Sequence, residues 1–293
     1  MSPTAPLLVL PVLLVAALAA CADAPVPSVD PEDRVTPDSA IAAVPYLLAD
    51  PDTIAVLPDD LEEISGLAVG PGGALLAVQD EDGLLFEIDP STGAIVGRRP
   101  FYDEGDYEGV EAVGDDVWVV ESDGDLYRLA PGADVAERTE TGLGRRSDVE
   151  GLGLDPATGH LLLACKEHPG GDLDGGRDGV RAIWAFDPAT GTLGDEPAYV
   201  LPRAELDATG PPYFKPSAVA VHPTSGDLYV LSSVRKALVV VSSDGTLRAA
   251  IALPPRLYPQ PEGIAFGADG TLTISNEGAG GSATLLRFSE QPL

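Results

Sequence analysis

Apolar residues in this chain fall into short runs separated by clusters of Gly, Pro and Asp. Some runs are continuously apolar, such as Val117-Trp118-Val119-Val120 and Leu228-Tyr229-Val230-Leu231. Others, such as Leu84-Leu85-Phe86-Glu87-Ile88 and Ile183-Trp184-Ala185-Phe186, tend to alternate. Strand-like runs bounded by turn formers, with almost no helical periodicity, predict an all-β chain. One phrase recurs five times: Ser65-Gly66-Leu67-Ala68-Val69, Glu108-Gly109-Val110-Glu111-Ala112, Glu150-Gly151-Leu152-Gly153-Leu154, Ser217-Ala218-Val219-Ala220-Val221 and Glu262-Gly263-Ile264-Ala265-Phe266. Each copy opens a unit with the same order: a small-apolar strand, a turn, a strongly apolar strand, a third strand and a weaker fourth, for example Ile95 to Arg98. The turns include Asp155-Pro156-Ala157-Thr158-Gly159 and His222-Pro223-Thr224-Ser225-Gly226, in which Pro fixes φ and Gly takes the left-handed position.

The copies are spaced by 43 (65 to 108), 42 (108 to 150), 67 (150 to 217) and 45 (217 to 262) residues. That is the spacing of four-stranded propeller blades. Two insertions account for the long interval: a Gly/Asp-rich loop from His168 to Arg181 and an extended connection from Pro202 to Pro216. About 250 residues remain after Pro45, enough for five units of about 44 and no sixth. The last unit ends at Leu285-Leu286-Arg287-Phe288, one strand short, while Thr53-Ile54-Ala55-Val56-Leu57 is one strand in surplus. Pairing them closes the ring and removes exposed sheet edges. The prediction is a five-bladed β-propeller over residues 45–293, closed by an N-terminal strand on the last blade.

In a propeller the first strand of each blade is innermost. Ser65, Glu108, Glu150, Ser217 and Glu262 are then equivalent and form a ring at the axis. A second set, Asp80, Glu121, Glu167, Ser233 and Glu277, follows the second strands 13 to 17 residues later, one hairpin away and back at the same face. Lys166 joins the channel lining. Three carboxylates about 5 Å apart, at an effective dielectric near 20, repel by about 3 kcal/mol per pair and roughly 10 kcal/mol in all. A domain stable by about 5–15 kcal/mol cannot carry that uncompensated. Raised pKa values or a bound cation relieve it, and oxygen donors without His or Cys select a hard ion, Ca²⁺ before Mg²⁺. The metal candidates are Glu108, Glu150, Glu262, Glu121, Glu167 and Glu277. Capping of backbone N–H groups in neighbouring blades is the other use such glutamates have. His160, His168 and His222 lie in or beside turns and do not suggest zinc. Asp172, Asp174 and Asp178 in the insertion resemble a calcium loop only loosely, lack its closing glutamate, and read as a solvated acidic loop.

Several segments together resemble the SdiA-regulated (YjiK-like) family of bacterial propellers. They are Asp106-Tyr107-Glu108-Gly109-Val110-Glu111 with Val119-Val120-Glu121-Ser122-Asp123, and Val149-Glu150-Gly151-Leu152 with Cys165-Lys166-Glu167. Pro216-Ser217-Ala218-Val219 with Leu228 to Ser233, and Gln260-Pro261-Glu262-Gly263-Ile264-Ala265 with Ile274-Ser275-Asn276-Glu277, complete the match. The resemblance implies a five-bladed propeller distantly similar to NHL-repeat proteins, with a calcium site and no established catalytic activity. The chain departs from it at Asn276-Glu277-Gly278-Ala279-Gly280, where the family has a Glu-Pro-Asn-like turn.

The remaining features place the chain in the cell. Leu7 to Ala20 is an apolar run too short to span a bilayer, and it ends in Leu18-Ala19-Ala20-Cys21, which resembles a bacterial lipobox. Residues 1–21 therefore read as a lipoprotein signal with Cys21 as the lipidation site, and 22–44 as a disordered Pro/Asp-rich tether. This predicts an extracytoplasmic protein of the cell envelope, held to the membrane by lipid. Cys165, in an apolar run, reads as a small core residue. With 47 acidic and 17 basic residues the net charge is −30, which disfavours nucleic acid. No nucleophile motif is present. These readings point to a monomeric, non-enzymatic propeller that binds a small ligand or a protein on its open face; a calcium-dependent hydrolase (lactonase, esterase or phytase-like) is the alternative.

Overall fold

The computed structural model describes Met1 and residues 44–173, 175, 179–209 and 212–292. Cys21, the signal sequence and the tether up to residue 43 fall outside these residues, as do Asp174 and Asp178. The predicted five blades are present. Strand β1 (Thr53–Val56) precedes blade I, which comprises β2 (Ile64–Val69), β3 (Leu75–Gln79), β4 (Leu84–Ile88) and β5 (Ile95–Pro100). Blade II holds β6 (Tyr107–Val113), β7 (Asp116–Glu121), β8 (Leu126–Leu129) and β9 (Glu137–Thr139). Blade III holds β10 (Val149–Leu154), β11 (Leu161–Cys165) and β12 (Val180–Asp187), with β13 (Thr192–Leu193) and β14 (Tyr199–Pro202) both paired to β12. Blade IV holds β15 (Ala218–Val221), β16 (Leu228–Ser232), β17 (Ala237–Val241) and β18 (Leu247–Ala252). Blade V holds β19 (Pro261–Phe266), β20 (Leu272–Asn276) and β21 (Thr284–Phe288).

The strand missing from blade V is β1, antiparallel to β21 from Thr53↔Arg287 to Val56↔Thr284. The inner strands β2, β6, β10, β15 and β19 each neighbour the next, and β19 neighbours β2, so the ring is closed. The apolar side chains form five clusters, each drawn mainly from two adjacent blades. One joins blades II and III, for instance, through Trp118, Val120, Leu163 and Phe186. A blade's middle strands are covered on both faces, which is why β11, β16 and β17 are buried at every position and read as near-continuous apolar runs rather than alternating.

Two details differ from the sequence reading. Packing begins at Val44, one residue inside the segment read as tether: Val44, Tyr46 and Leu48 are buried against blades IV and V. The connection after Pro202 is not extended but forms a short helix, α1 (Arg203–Thr209), whose Leu206 is buried in the cluster between blades III and IV. Its Ala, Glu and Leu are good helix formers, and seven residues are too few to show a period.

Candidate functional site

Inner strands start at one face of the disc, second strands return to it, and the turns after β3, β7, β11, β16 and β20 lie there. At four of the five inner strands the ladder skips one residue at the start of the repeated phrase. The breaks fall between Ile64 and Gly66, Tyr107 and Gly109, Val149 and Gly151, and Pro261 and Gly263. Ser65, Glu108, Glu150 and Glu262 are thus the extra residues of four β-bulges, a device that re-aims a side chain at a strand end. The glycine that follows lets neighbouring inner strands approach. A Cβ on Gly263 would sit 2.3 Å from Ser275 Oγ and 2.6 Å from Leu67 Cβ. At the axis the strands leave a cavity of only about 10 Å³, lined in part by Glu108, Glu150 and Glu262, which has room for about one water-sized species.

The two serines of the ring staple blades. Ser65 donates to the Tyr107 carbonyl at 2.7 Å, and Ser217 donates to the Pro261 carbonyl at 2.9 Å while accepting from the Ser233 N–H at 3.1 Å. The three glutamates come together around one ammonium. Glu150, 6% exposed, is ion-paired with Lys166. Glu108 and Glu262 also lie within the field of Lys166; Glu108 is within the fields of Glu150 and Glu262, and Glu150 within that of Glu262. Burial pushes Glu108 up to about 10, helped by the charges of Glu150, Asp106 and Glu262. Burial also raises Glu262, to about 7, against Lys166 and hydrogen bonds with Ser233 and Gln260. Glu150 is likewise raised by burial, with Lys166 opposing. Lys166 itself is raised: burial acts to lower it, but Glu150, Asp148 and Glu262 together prevail. At neutral pH the cluster therefore holds a charged Lys166 and a protonated Glu108.

Backbone pairing past the end of β11 places that ammonium. The Lys166 N–H donates to the Asp148 carbonyl at 2.8 Å, and the Glu167 N–H to the Ser147 carbonyl at 3.1 Å. Asp148 takes a left-handed φ of 50° to permit this.

The second predicted ring sits at the same face but does not converge on the first. Glu121 takes a hydrogen bond from Tyr127 on β8, over blade II. Glu167 pairs with Lys215, and Glu277 accepts from the Gln260 amide. Asp80 faces Glu63, Glu81 and Asp106, and burial and these neighbours raise its pKa. Ser233 bonds to the inner ring. Among the described residues no group of three or more His, Cys, Asp or Glu side chains is placed to hold a metal ion. Five of the six carboxylates read as ligands take hydrogen bonds or ion pairs from Lys166, Lys215, Tyr127, Gln260 or Ser233, and the sixth, Glu108, is held protonated. The donor set does not form a calcium shell. Cys165 is fully buried and its thiol is pushed up to about 12 by burial, as a core residue should be.

Residues two positions before the phrase complete the site and were missed: Glu63, Asp106, Asp148, Lys215 and Gln260. Their polarity in all five repeats is a sequence signal. Glu111 was also missed as a site residue. It is half-buried on β6, and burial raises it to about 7 against hydrogen bonds from the N–H groups of Ala112 and Leu154.

Between blade I and the segment entering it, toward the blade's outer strands, lies a cavity of about 280 Å³ lined in part by Asp59, Asp60, Glu62, Glu63, Glu81 and Asp82. Leu84 and Phe86 give it an apolar wall. Arg98, ion-paired with Asp60, places its guanidinium 5.9 Å from the Phe86 ring centroid.

No family model matches the chain, and no curated protein matches it. Solved structures do. A glutaminyl cyclase from Myxococcus xanthus aligns at 14% identity over 82% of this chain and 94% of that one, with a TM-score of 0.54. A gluconolactonase from Xanthomonas campestris aligns at 17% over 77% and 72%, with a TM-score of 0.50. A luciferin-regenerating enzyme aligns at 13% over 77% of each, also at 0.50. At such identities the similarity is one of fold, and the fold is the β-propeller.

Proposed function

We propose that this chain is a non-enzymatic binding propeller of the SdiA-regulated family, held to the extracytoplasmic side of a membrane through Cys21, and that it takes a small organic cation at the rim of its axial face. The observation that carries the reading is the cavity beside blade I. Six carboxylates surround an apolar wall, and its volume approaches the range of small-molecule sites. The Arg98 guanidinium, paired with Asp60 and set against Phe86, supports this choice of ligand: a flat or alkyl cation on an aromatic face with a carboxylate beside it. A hydrolase would need an open metal position or a free base at the axis. There the glutamates are engaged by Lys166, Ser233 and Gln260.

Thermal-shift titration with alkylamines and guanidines, against carboxylates of equal size, tests the reading. Amines and guanidines raise the melting temperature, and the shift disappears in Glu63→Gln/Glu81→Gln. Equal stabilisation by the carboxylates refutes it. Chelator-sensitive turnover of a lactone, ester or phosphate that Glu150→Gln abolishes would overturn the non-enzymatic assignment. For the anchor, Cys21→Ala releases the protein from membranes; retention there refutes lipidation.

A further inference from the structure

Charge is divided unevenly over the axial face, and the division does not depend on what the rim cavity binds. Over blades I and II the four segments that reach this face, residues 57–63, 80–83, 101–106 and 122–125, carry twelve Asp or Glu and no Lys or Arg. Over blade IV and the entry to blade V the balance reverses. Residues 203–217, 233–236 and 253–260 carry Arg203, Lys215, Arg235, Lys236 and Arg256 against only Glu205 and Asp207. Elsewhere Arg98, Arg128, Arg138 and Arg248 each pair with a carboxylate. Arg235 and Arg256, and Arg145 and Arg146 ahead of neighbouring β10, are exposed and form no ion pair among the described residues. A chain of net charge −30 has thus kept guanidiniums away from its acids in one sector of one face. Tyr213 joins two segments of that sector: the guanidiniums of Arg203 and Arg235 lie 5.8 and 5.2 Å from its ring centroid. The ring is 45% exposed, on a residue with a left-handed φ of 61°, which is costly for a bulky side chain. Val234, 47% exposed, precedes Arg235 in the turn after β16. An exposed aromatic ring and an apolar side chain among arginines match the centre of a protein–protein interface, where Tyr and Arg carry much of the binding energy.

We propose that this patch, with Tyr213, Arg235, Lys236 and Arg256 at its centre, docks an acidic segment of a protein partner. The partner's carboxylates pair with the guanidiniums, and its apolar side chains cover Tyr213 and Val234. The rest of the face argues against other polyanions. A membrane or a nucleic acid presents a broad phosphate surface, which meets the twelve acids over blades I and II as soon as it meets the patch. A narrow peptide segment lies along blade IV alone, and the acids beyond repel it from any other placement on the face.

Fluorescence anisotropy tests this on the purified chain, with a labelled Glu-rich peptide carrying leucines and the same peptide with Gln in place of Glu. At an ionic strength of about 0.1 M the wild type binds the Glu peptide with a Kd below about 1 mM and does not measurably bind the Gln peptide. Reversing two charges in Arg235→Glu/Arg256→Glu weakens binding at least about tenfold. Tyr213→Gly, which suits the left-handed backbone, keeps the melting temperature and also weakens binding. Arg248→Glu, on β18 near the opposite face, reverses the same kind of charge and leaves the affinity unchanged. The proposal is overturned if the Glu peptide binds no better than the Gln peptide, if Arg235→Glu/Arg256→Glu keeps the wild-type affinity, or if Arg248→Glu weakens binding as much. Phosphatidylglycerol vesicles that bind through Arg235 and Arg256 where the Glu peptide does not also overturn it, because the occupant is then a lipid surface. The amine titration at blade I reads a different site, so either result stands without the other.

Discussion

Replacing Glu108 with Gln isolates what the axial burial of a carboxyl costs. In the unfolded chain Glu108 titrates at its ordinary 4.5; in the folded protein burial and the neighbouring carboxylates hold it near 10. A raised folded pKa means that the native state binds the extra proton. The stability is therefore fully present below about pH 4.5 and is lost as pH rises toward 10. At about 1.4 kcal/mol per pH unit, the cost at pH 7 is about 3 kcal/mol, and it grows by the same increment for each further unit until the folded carboxyl ionises. Gln has nearly the same shape and takes up no proton. Its second amide hydrogen costs about 1 kcal/mol if left unpaired, which leaves Glu108→Gln more stable by about 2 kcal/mol at pH 7. For a domain of this size 1 kcal/mol moves the melting temperature by about 2–4 °C. The variant should thus gain roughly 3–5 °C on the wild type for each pH unit between 5.5 and 8.5, measured by calorimetry or fluorimetry in matched buffers. The slope carries the test, because a mere change in packing shifts both curves together. A difference that stays flat across that range refutes the protonated Glu108 and the convergence that produces it.

Two other substitutions probe features on which the site rests. Gly263→Ala places a methyl 2.3 Å from Ser275 Oγ and 2.6 Å from Leu67 Cβ; overpacking of this kind costs about 1–3 kcal/mol, so the denaturant midpoint falls, and an unchanged midpoint contradicts the close approach of blades V and I. His222 is 2% exposed, and its Nδ1 accepts from the N–H groups of Thr224 and Ser225 at 3.3 and 3.1 Å, so its proton sits on Nε2, 2.9 Å from Tyr46 Oη. Burial lowers its pKa below 6.5, so its contribution is whole above that value and declines as pH falls toward the folded pKa; His222→Gln flattens the acid limb of the stability curve below pH 6.5, and an unchanged limb counts against this assignment.

The ring and its blade number were legible because a propeller copies one unit, and copies share spacing, turns and apolar runs. Closure was legible for the same reason: β1 was a surplus strand and blade V a deficit. The convergence of Glu108, Glu150 and Glu262 followed from their equivalence in the repeat. What aims them did not. A bulge is a register slip between two strands, and nothing in Tyr107-Glu108-Gly109 marks that Glu108 lacks an opposite residue on β7. The role of Lys166 was hidden likewise, since it depends on residues 147–148 pairing with 166–167 beyond the ends of the strands. The second ring failed as a ring because equivalence in sequence fixes where a side chain starts, not where it ends. Glu121 found a partner in Tyr127, and Glu167 in Lys215, the one cation among the five equivalent positions before the phrase.

The acidity of the chain is not one property but at least two, and they answer to pH in opposite senses. At the turns, Asp89, Asp187, Asp244 and Asp269 accept backbone N–H groups two or three residues on. Side-chain hydrogen bonds, first for Asp89, Asp187 and Asp244, and backbone hydrogen bonds, first for Asp269, lower their pKa values. These groups stabilise the fold above their unfolded pKa and fail only in strong acid. At the axis the same chemical group is buried among its own kind, and Glu108 and Glu262 are raised instead. A solvated acidic surface shows neither shift, so general acidity cannot account for either set. Between about pH 5 and 9 the turn carboxylates stay ionised and contribute a constant, so any carboxylate-dependent change in stability over that window reports on the axis and its neighbours. Lys166 limits that change: its single charge opposes the rise at Glu150 and leaves Glu108 to carry the proton. A metal would have supplied two charges and released both carboxyls to ionise. One ammonium supplies a single charge, and the proton on Glu108 is the consequence.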